Sequence, residues 1–300
     1  MPIRGAAGSV PAHASGGNPA LAPDVRDRFL ALIRTGTPPA LAPAALEIAR
    51  IAYPDLDPGP SLRQLDGLAA VIRPHVGAAA TPADAAAIVA ARLRDPLGFH
   101  GNRDDYYDPR NSFLNDVLER RTGIPITLAV VLIEVGARVG VLIAGVGFPG
   151  HFLVRAEGAH GPRFFDPFFD GRELDDAALL ERLRALSGNA GAALTHVPPE
   201  LLGPVTTTEI LGRMLRNLLR LYLDRGEAPL ALEAVDRLLL LTPDAADELR
   251  IRGQLYERLE CFAAARADYE RYLARAPEAP DARDVRSRLA RLAQGAPTVH

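Results

Sequence analysis

The sequence predicts an α+β domain that is preceded by helices and followed by an all-α domain of repeated helical hairpins. Residues 25–98 carry apolar residues at helical spacing. Residues 111–166 pass from helical patterns to short apolar segments bounded by glycine, and residues 217–277 repeat with a fixed offset. Helices next to sequentially adjacent strands are typical of α+β architecture.

The composition of the 300-residue chain is that of an ordinary globular protein, with 48% hydrophobic and 24% charged residues. The formal net charge is −3 and both signs are mixed along the chain, so we expect no basic face for nucleic acid. No apolar run approaches the ~20 residues of a membrane span, and the N-terminal residues lack the apolar segment of a signal peptide. We therefore expect a cytoplasmic protein that binds neither nucleic acid nor membranes.

Cys261 is the single cysteine of the chain, which excludes an internal disulfide and a zinc site with several cysteine ligands. The acidic residues Asp104, Asp105 and Asp108 lack the glycine and the distal glutamate of a calcium loop. We expect no metal and no cofactor.

The N-terminal third divides into a tail and several helices. Residues 1–24 are rich in glycine, alanine, proline and serine, which predicts a flexible tail. Proline and glycine clusters then separate the predicted helices, which are Val25–Thr35, Pro43–Tyr53, Ser61–Val76 and Pro82–Leu93. These helices are expected to belong to one domain with the segment that follows them, over residues 25–200.

The central segment predicts two helices and then strands. Asn111 or Ser112 can cap a helix that runs to about Arg121. Pro125 suits the first turn of a second helix, which runs to about Val139 before Gly140 ends it. The predicted strands are Leu142–Val146, Gly150–Glu157 and Arg163–Asp166.

The C-terminal third contains an internal repeat. An offset of 34 residues aligns Asn217–Pro243 with Ile251–Pro277 and places Leu221 on Leu255, Tyr222 on Tyr256, Ala231 on Ala265 and Pro243 on Pro277. A helical hairpin that recurs every ~34 residues and ends in proline is typical of tetratricopeptide repeats. Ala282–Gln294 reads as a single helix that caps the array, and the repeat domain is expected over residues 206–296.

Four sequence blocks in the centre of the chain point to a known family. They are YDPRNSFL at 107–114, VLERRTGIPIT at 117–127, GVGFPGHFLVR at 145–155 and FDPF at 165–168. In this order they resemble the bacterial SirB-type family of transglutaminase-like proteins, over roughly residues 40–180. That family often carries tetratricopeptide repeats behind this domain.

The resemblance implies a papain-like core with a Cys-His-Asp triad. His151 matches the histidine and Asp166 the aspartate, so we expect them on adjacent strands at ~2.6–3.2 Å, within hydrogen-bonding distance. The cysteine of the family stands at the start of the helix that ends near Gly140, and here that position falls on Pro125, Ile126 or Thr127. The triad therefore lacks its thiol.

Thr127 carries the hydroxyl nearest to the empty position and is a candidate nucleophile for His151 to activate. A hydroxyl is harder to ionise than a thiol, and a threonine in a first helical turn can instead simply satisfy the helix end. The resemblance also places Asn111, Asn115, Arg121 and Pro125 near the cleft as candidate binding residues.

Three functions remain open at this stage. The first is a non-catalytic or regulatory module whose cleft binds a peptide or protein segment while the repeats hold a partner. The alternative is a hydrolase or acyltransferase that uses Thr127 with His151 and Asp166. The third is a scaffold function, to which only the repeats contribute.

Overall fold

A computed structural model describes residues 22–33, 40–191 and 194–294 of the chain. Residues 1–21 of the predicted flexible tail (residues 1–24) lie outside these ranges. Its last two residues, Pro23 and Asp24, already belong to the first helix.

Four helices come first in the described part of the chain. They are α1 (Pro23–Ile33), α2 (Leu41–Ala49), α3 (Gly59–Val76) and α4 (Pro82–Arg94). Thr81 begins α4 because its side chain accepts a hydrogen bond from the Asp84 N–H at 3.1 Å, which satisfies a free donor of the first turn.

The predicted helix from residue 111 or 112 to Arg121 is divided in two. A 3-10 helix (Pro109–Ser112) precedes α5 (Leu114–Arg120), because Phe113 between them has extended backbone angles. Arg121 ends α5 with a positive φ of 56°. The short strands β1 (His100–Gly101) and β2 (Thr122–Gly123) pair in parallel, and α6 (Pro125–Arg138) follows as predicted.

An antiparallel sheet with the order β3-β4-β5-β6 follows α6. Its strands are β3 (Ala144–Val146), β4 (Leu153–Gly158), β5 (Gly161–Asp166) and β6 (Arg172–Leu174). β4 begins later than predicted because Gly150 has a φ of 63° and the His151 N–H donates to the Phe148 carbonyl, which makes a turn. β6 and the next helix, α7 (Asp176–Gly191), were not predicted from the sequence.

The sheet packs between helices on both faces. Val154 and Ala156 of β4 join the large hydrophobic core that includes residues of α4 and α6. The alternate residue Leu153 packs with Phe164 and with Leu179 of α7 in a separate cluster. This division arises because successive side chains of a strand point to opposite faces of the sheet. At the end of β5, Phe164 and Phe165 accordingly belong to different clusters.

The C-terminal third folds into paired helices. After a 3-10 helix (Pro199–Leu201) come α8 (Thr207–Arg225), α9 (Ala228–Leu241), α10 (Ala246–Arg258), α11 (Phe262–Arg275) and α12 (Ala282–Gln294). The residues aligned by the 34-residue offset, Leu221, Tyr222, Leu255 and Tyr256, are buried.

The first repeat helix packs directly on the α+β domain. Ile210 and Met214 of α8 belong to the same hydrophobic core as α2 and α6. The Val205 N–H donates to the Gly145 carbonyl of β3 at 2.9 Å, and Arg225 donates to the Tyr107 carbonyl at 2.9 Å. α8 therefore packs against the α+β domain and is also the first helix of the repeats.

Gly253 on α10 is expected to tolerate no side chain. A Cβ there would lie 2.6 Å from Cε1 of Tyr269 on α11, and Tyr269 is held by a hydrogen bond from its hydroxyl to Glu257. We expect Gly253→Ala to lower the free energy of unfolding by about 1–3 kcal/mol, the usual cost of overpacking.

Gly67→Ala on α3 is the matched control, since nothing lies within 4 Å of its added Cβ. It should raise stability by up to about 1 kcal/mol through the helix preference of alanine. Urea denaturation of both variants measures the contrast, and equal effects at the two positions would contradict the close packing of α10 on α11.

Candidate functional site

His151 and Asp166 form a hydrogen-bonded pair at one end of the sheet. His151 lies in the turn before β4 and Asp166 is the last residue of β5, and the distance from His151 Nε2 to Asp166 Oδ1 is 2.9 Å. The expected hydrogen bond is thus present, although the histidine stands beside the strand rather than on it. The imidazole is 13% exposed and the carboxylate is fully buried.

Two backbone N–H donors and one cation lie against the Asp166 carboxylate. The Phe168 and Phe169 N–H groups donate to Oδ1 at 3.0 and 3.1 Å, and Arg182 Nη2 of α7 lies 2.5 Å from Oδ2. Burial alone would raise the pKa of Asp166, but the hydrogen bond and charge of His151, the charge of Arg182 and the Phe169 N–H together hold it below its ordinary value. The carboxyl is therefore ionised.

An ionised Asp166 fixes the tautomer of its partner. Since the carboxylate can only accept, Nε2 of His151 carries the proton and donates it. In a neutral imidazole Nδ1 then keeps a free lone pair, and no described residue bonds to it. The pair has the orientation that a general base needs, with an aspartate holding the ring.

His151 lines a cavity of about 370 Å³. The walls come from the segment before α5 (Tyr106, Ser112), from the start of α6 (Pro125, Ile126) and from α8 (Arg213, Asn217). The cavity therefore lies between the α+β domain and the first repeat helix.

The start of α6 offers no nucleophile to this cavity. Ile124, Pro125 and Ile126 line it, and all three side chains are apolar. Thr127 is fully buried, is not among the lining residues and donates its hydroxyl hydrogen to the Asn111 carbonyl at 2.6 Å. The Ile124 N–H also donates to this hydroxyl, at 3.2 Å. Thr127 thus ties the start of α6 to the preceding segment and does not face His151.

Of the four candidate binding residues, Pro125 lines the cavity and the other three do not. Asn111 is buried, and its amide donates to the Asp105 carbonyl at 2.7 Å, which holds the loop that carries Tyr106. Arg121 is exposed on the turn that ends α5. Asn115 has a buried Oδ1 without a hydrogen-bond partner in the described structure.

Two arginines of this site were not predicted from the sequence. Arg182 pairs with Asp166 from α7, and Arg213 on α8 donates to the His151 carbonyl at 2.7 Å. Asp175 caps the start of α7 through the Ala178 N–H at 2.8 Å, a pattern that could have revealed that helix. Nothing in the sequence near Arg213 distinguishes it from a solvated arginine of a repeat.

The remaining expectations concern the thiol, metals and membranes. Cys261 lies at the start of α11, and its Sγ is 3.4 Å from the Leu259 carbonyl. Within the described ranges, no group of three or more potential metal-binding side chains is present. Among the helices that the structure describes, none is both long and apolar enough to cross a membrane.

Comparison with known proteins finds two family matches. Residues 60–216 match the transglutaminase-like superfamily, and residues 218–290 match the tetratricopeptide repeat. The second match confirms the repeat prediction. No solved structure matches the chain.

Relatives cover most of this chain. A UPF0162 protein of Xylella fastidiosa is 40% identical over 253 residues, which are 83% of this chain and 88% of that protein. A UPF0162 protein of Pseudomonas aeruginosa is 36% identical over 239 residues, 79% of this chain and 84% of that protein. F-box only protein 21 of Homo sapiens is 34% identical over 178 residues, 56% of this chain and 27% of that protein. The chain belongs to the transglutaminase-like superfamily and, within it, to the family of UPF0162 proteins.

Proposed function

We propose that this chain is a non-catalytic or regulatory module whose cleft binds a peptide or protein segment. The observation that carries the proposal is made in the cavity beside His151. The histidine and aspartate pair is retained, but the side chains that the start of α6 gives to the cavity, Ile124, Pro125 and Ile126, are apolar. Acyl transfer needs a nucleophile within reach of its base. The retained pair then serves as a polar wall of a binding site.

The burial of Thr127 disfavours the alternative of a hydrolase or acyltransferase. Its hydroxyl already donates to Asn111 and accepts from Ile124 inside the protein. Catalysis by Thr127 would require both hydrogen bonds to break and the start of α6 to move.

The repeats supply the second half of the proposal. A transglutaminase-like domain joined to tetratricopeptide repeats fits a protein-interaction scaffold. We propose that the repeats hold a protein partner while the cleft binds one segment of it. The proposal also includes three expectations from the sequence. They are the resemblance to the SirB-type family, a cytoplasmic location and the lack of a cofactor.

The proposal is tested with the full chain and a random pool of N-acetylated hexapeptides. Mass spectrometry measures which peptides the protein retains and whether any of them is cleaved or deamidated. We expect retention without turnover. His151→Ala should weaken retention by about three- to tenfold, since it removes one hydrogen-bonding group of the cavity wall.

His160→Ala in the exposed turn between β4 and β5 is the matched control and should retain the pool like the wild type. Turnover by the wild type that disappears in Thr127→Val would restore the enzymatic alternative. A wild-type protein that retains no peptide would refute the binding proposal.

A further inference from the structure

Arg213 places a positive charge in the wall of the cavity without a negative charge to balance it. No carboxylate of the described residues pairs with it. Its hydrogen-bond acceptors are the neutral carbonyls of His151 and Phe148, at 2.7 and 3.3 Å, and its guanidinium lies 5.5 Å from the centre of the Phe152 ring. Burial lowers the pKa of Arg213, while nearby Tyr106 opposes this change.

The acidic side chains that line the cavity are occupied elsewhere. Asp108 pairs with Arg110 at 2.8 Å and with Arg120 at 3.4 Å. Asp224 lies 3.9 Å from Arg220 on the exposed surface of α8. The positive charge of Arg213 therefore remains uncompensated in the lining of the cavity.

The start of α6 adds to this positive potential. Pro125 has no N–H group, but the next residues of a first helical turn present unpaired N–H groups and the positive end of the helix dipole. Ser112 and Tyr106, whose side chains carry hydroxyl groups, also line the cavity. These groups can donate hydrogen bonds to an anion beside Arg213.

One part of the wall is apolar, while Asn217 and Arg220 add polar groups to another part. Ile124, Ile126, Phe152 and Leu221 line the cavity, so an anionic group that enters it is expected to carry an apolar chain. One uncompensated guanidinium balances one negative charge, which matches a carboxylate rather than a phosphate with a charge near −2 at pH 7.

We infer that the cavity beside Arg213 binds a carboxylate of its peptide ligand, either the C-terminal carboxylate or an acidic side chain flanked by apolar residues. This inference rests on the proposed peptide-binding function and adds the chemistry of the ligand. Arg213 and the N–H groups of α6 hold the carboxylate, and the apolar wall holds the residue next to it.

The test uses the full chain and three peptide pools. N-acetylated hexapeptides of the neutral residues are prepared with a free C-terminal carboxylate, with a C-terminal amide, and with a C-terminal amide plus one internal glutamate. The retained fraction of each pool is measured by mass spectrometry. We expect the wild type to prefer at least one carboxylate pool over the neutral amide pool by about tenfold, the contribution of one charge-assisted hydrogen bond.

Arg213→Gln should reduce this preference to about one, while Arg213→Lys keeps part of it. The ratio between pools separates loss of charge recognition from loss of folding, because a distorted cavity would weaken all pools equally. Arg266→Gln is the control: it removes an exposed arginine of α11 whose nearest carboxylate, Glu270, is 3.9 Å away, and it should keep the wild-type ratio.

Each outcome has a distinct meaning. Preference for the free C-terminus alone, or for the internal glutamate alone, identifies the source of the carboxylate. Equal retention of neutral and carboxylate pools would overturn the carboxylate inference and leave peptide binding in place. A preference that persists in Arg213→Gln would overturn the role of Arg213, and retention of no pool would overturn the proposed function itself.

Discussion

Asp166→Asn is expected to lower the free energy of unfolding by about 3 kcal/mol. The substitution keeps the shape of the side chain but removes the negative charge that balances Arg182 at 2.5 Å. Removal of one partner from a buried ion pair costs about 3–5 kcal/mol. We expect the lower end, because Arg182 keeps 20% of its side chain exposed. Urea denaturation at pH 7 measures the difference.

Asp170→Asn is the matched control on the following turn. Asp170 is about half exposed and lies 3.7 and 4.0 Å from two exposed arginines. An exposed pair contributes little, so this variant should stay within about 0.5 kcal/mol of the wild type. Equal losses at the two positions would contradict a special role for the buried charge.

The stabilisation by Asp166 should also depend on pH in a defined direction. The pKa of this carboxyl is lower in the folded protein than its ordinary value of 3.8. Between the two pKa values the unfolded state binds more protons, so the stabilisation is complete above about pH 4 and decreases as the pH falls through the folded pKa. The stability difference between wild type and Asp166→Asn should therefore shrink below about pH 4. A difference that grows in acid would contradict the lowered pKa.

The sequence could predict those parts of the fold whose signals are local. The repeats follow from an offset that aligns residues such as Tyr222 with Tyr256, and α6 follows from Pro125 at its start and Gly140 after its end. β6 has three residues, which are too few for a pattern of alternation. Among the side chains of α7 that the structure describes, the deeply buried ones are Leu179 and Leu183, which is a weak periodic signal.

The candidate site was predictable only where a motif marks it. His151 and Asp166 stand in sequence blocks that resemble a known family, so their hydrogen bond could be expected. Arg213 meets His151 across 62 residues of chain, and this contact exists because α8 packs on the α+β domain. Among 34 basic residues, no local pattern distinguishes an arginine that enters a cavity from one that stays in water. Thr127 is a different case: its position suggested a nucleophile, and the sequence did not reveal that its side chain is buried and hydrogen-bonded to the Asn111 carbonyl.

The packing of α8 links the stability of the repeats to the cavity. α8 supplies Arg213 and Asn217 to the cavity wall and packs along α9. Substitutions that loosen the repeats are therefore expected to affect peptide binding as well as stability. The residue with the largest expected effect of this kind is Arg252, which connects three repeat helices.

Arg252→Met is expected to lower the free energy of unfolding by about 4 kcal/mol. Arg252 on α10 donates to Asp236 of α9 at 2.8 Å and, through two nitrogens, to Asp268 of α11 at 2.6 and 2.7 Å. Burial alone would lower the pKa of Arg252, but the two aspartates raise it above its ordinary value. Its removal takes the shared cation away from two carboxylates with 6% and 4% exposed side chains, although Asp268 keeps Arg271 at 3.8 Å. Loss of one partner in a buried network costs about 3–5 kcal/mol.

Two further variants separate charge from packing in this network. Arg266→Met removes an exposed arginine of α11 and should cost less than about 1 kcal/mol. The triple variant Asp236→Leu, Arg252→Met, Asp268→Leu removes all three charges and should recover most of the loss, because well-packed apolar residues of similar volume can replace a buried ionic network. Urea denaturation of all three proteins measures these effects. A triple variant as unstable as Arg252→Met would assign the loss to the packing of Arg252 against the Tyr256 ring, 5.6 Å away, and not to charge.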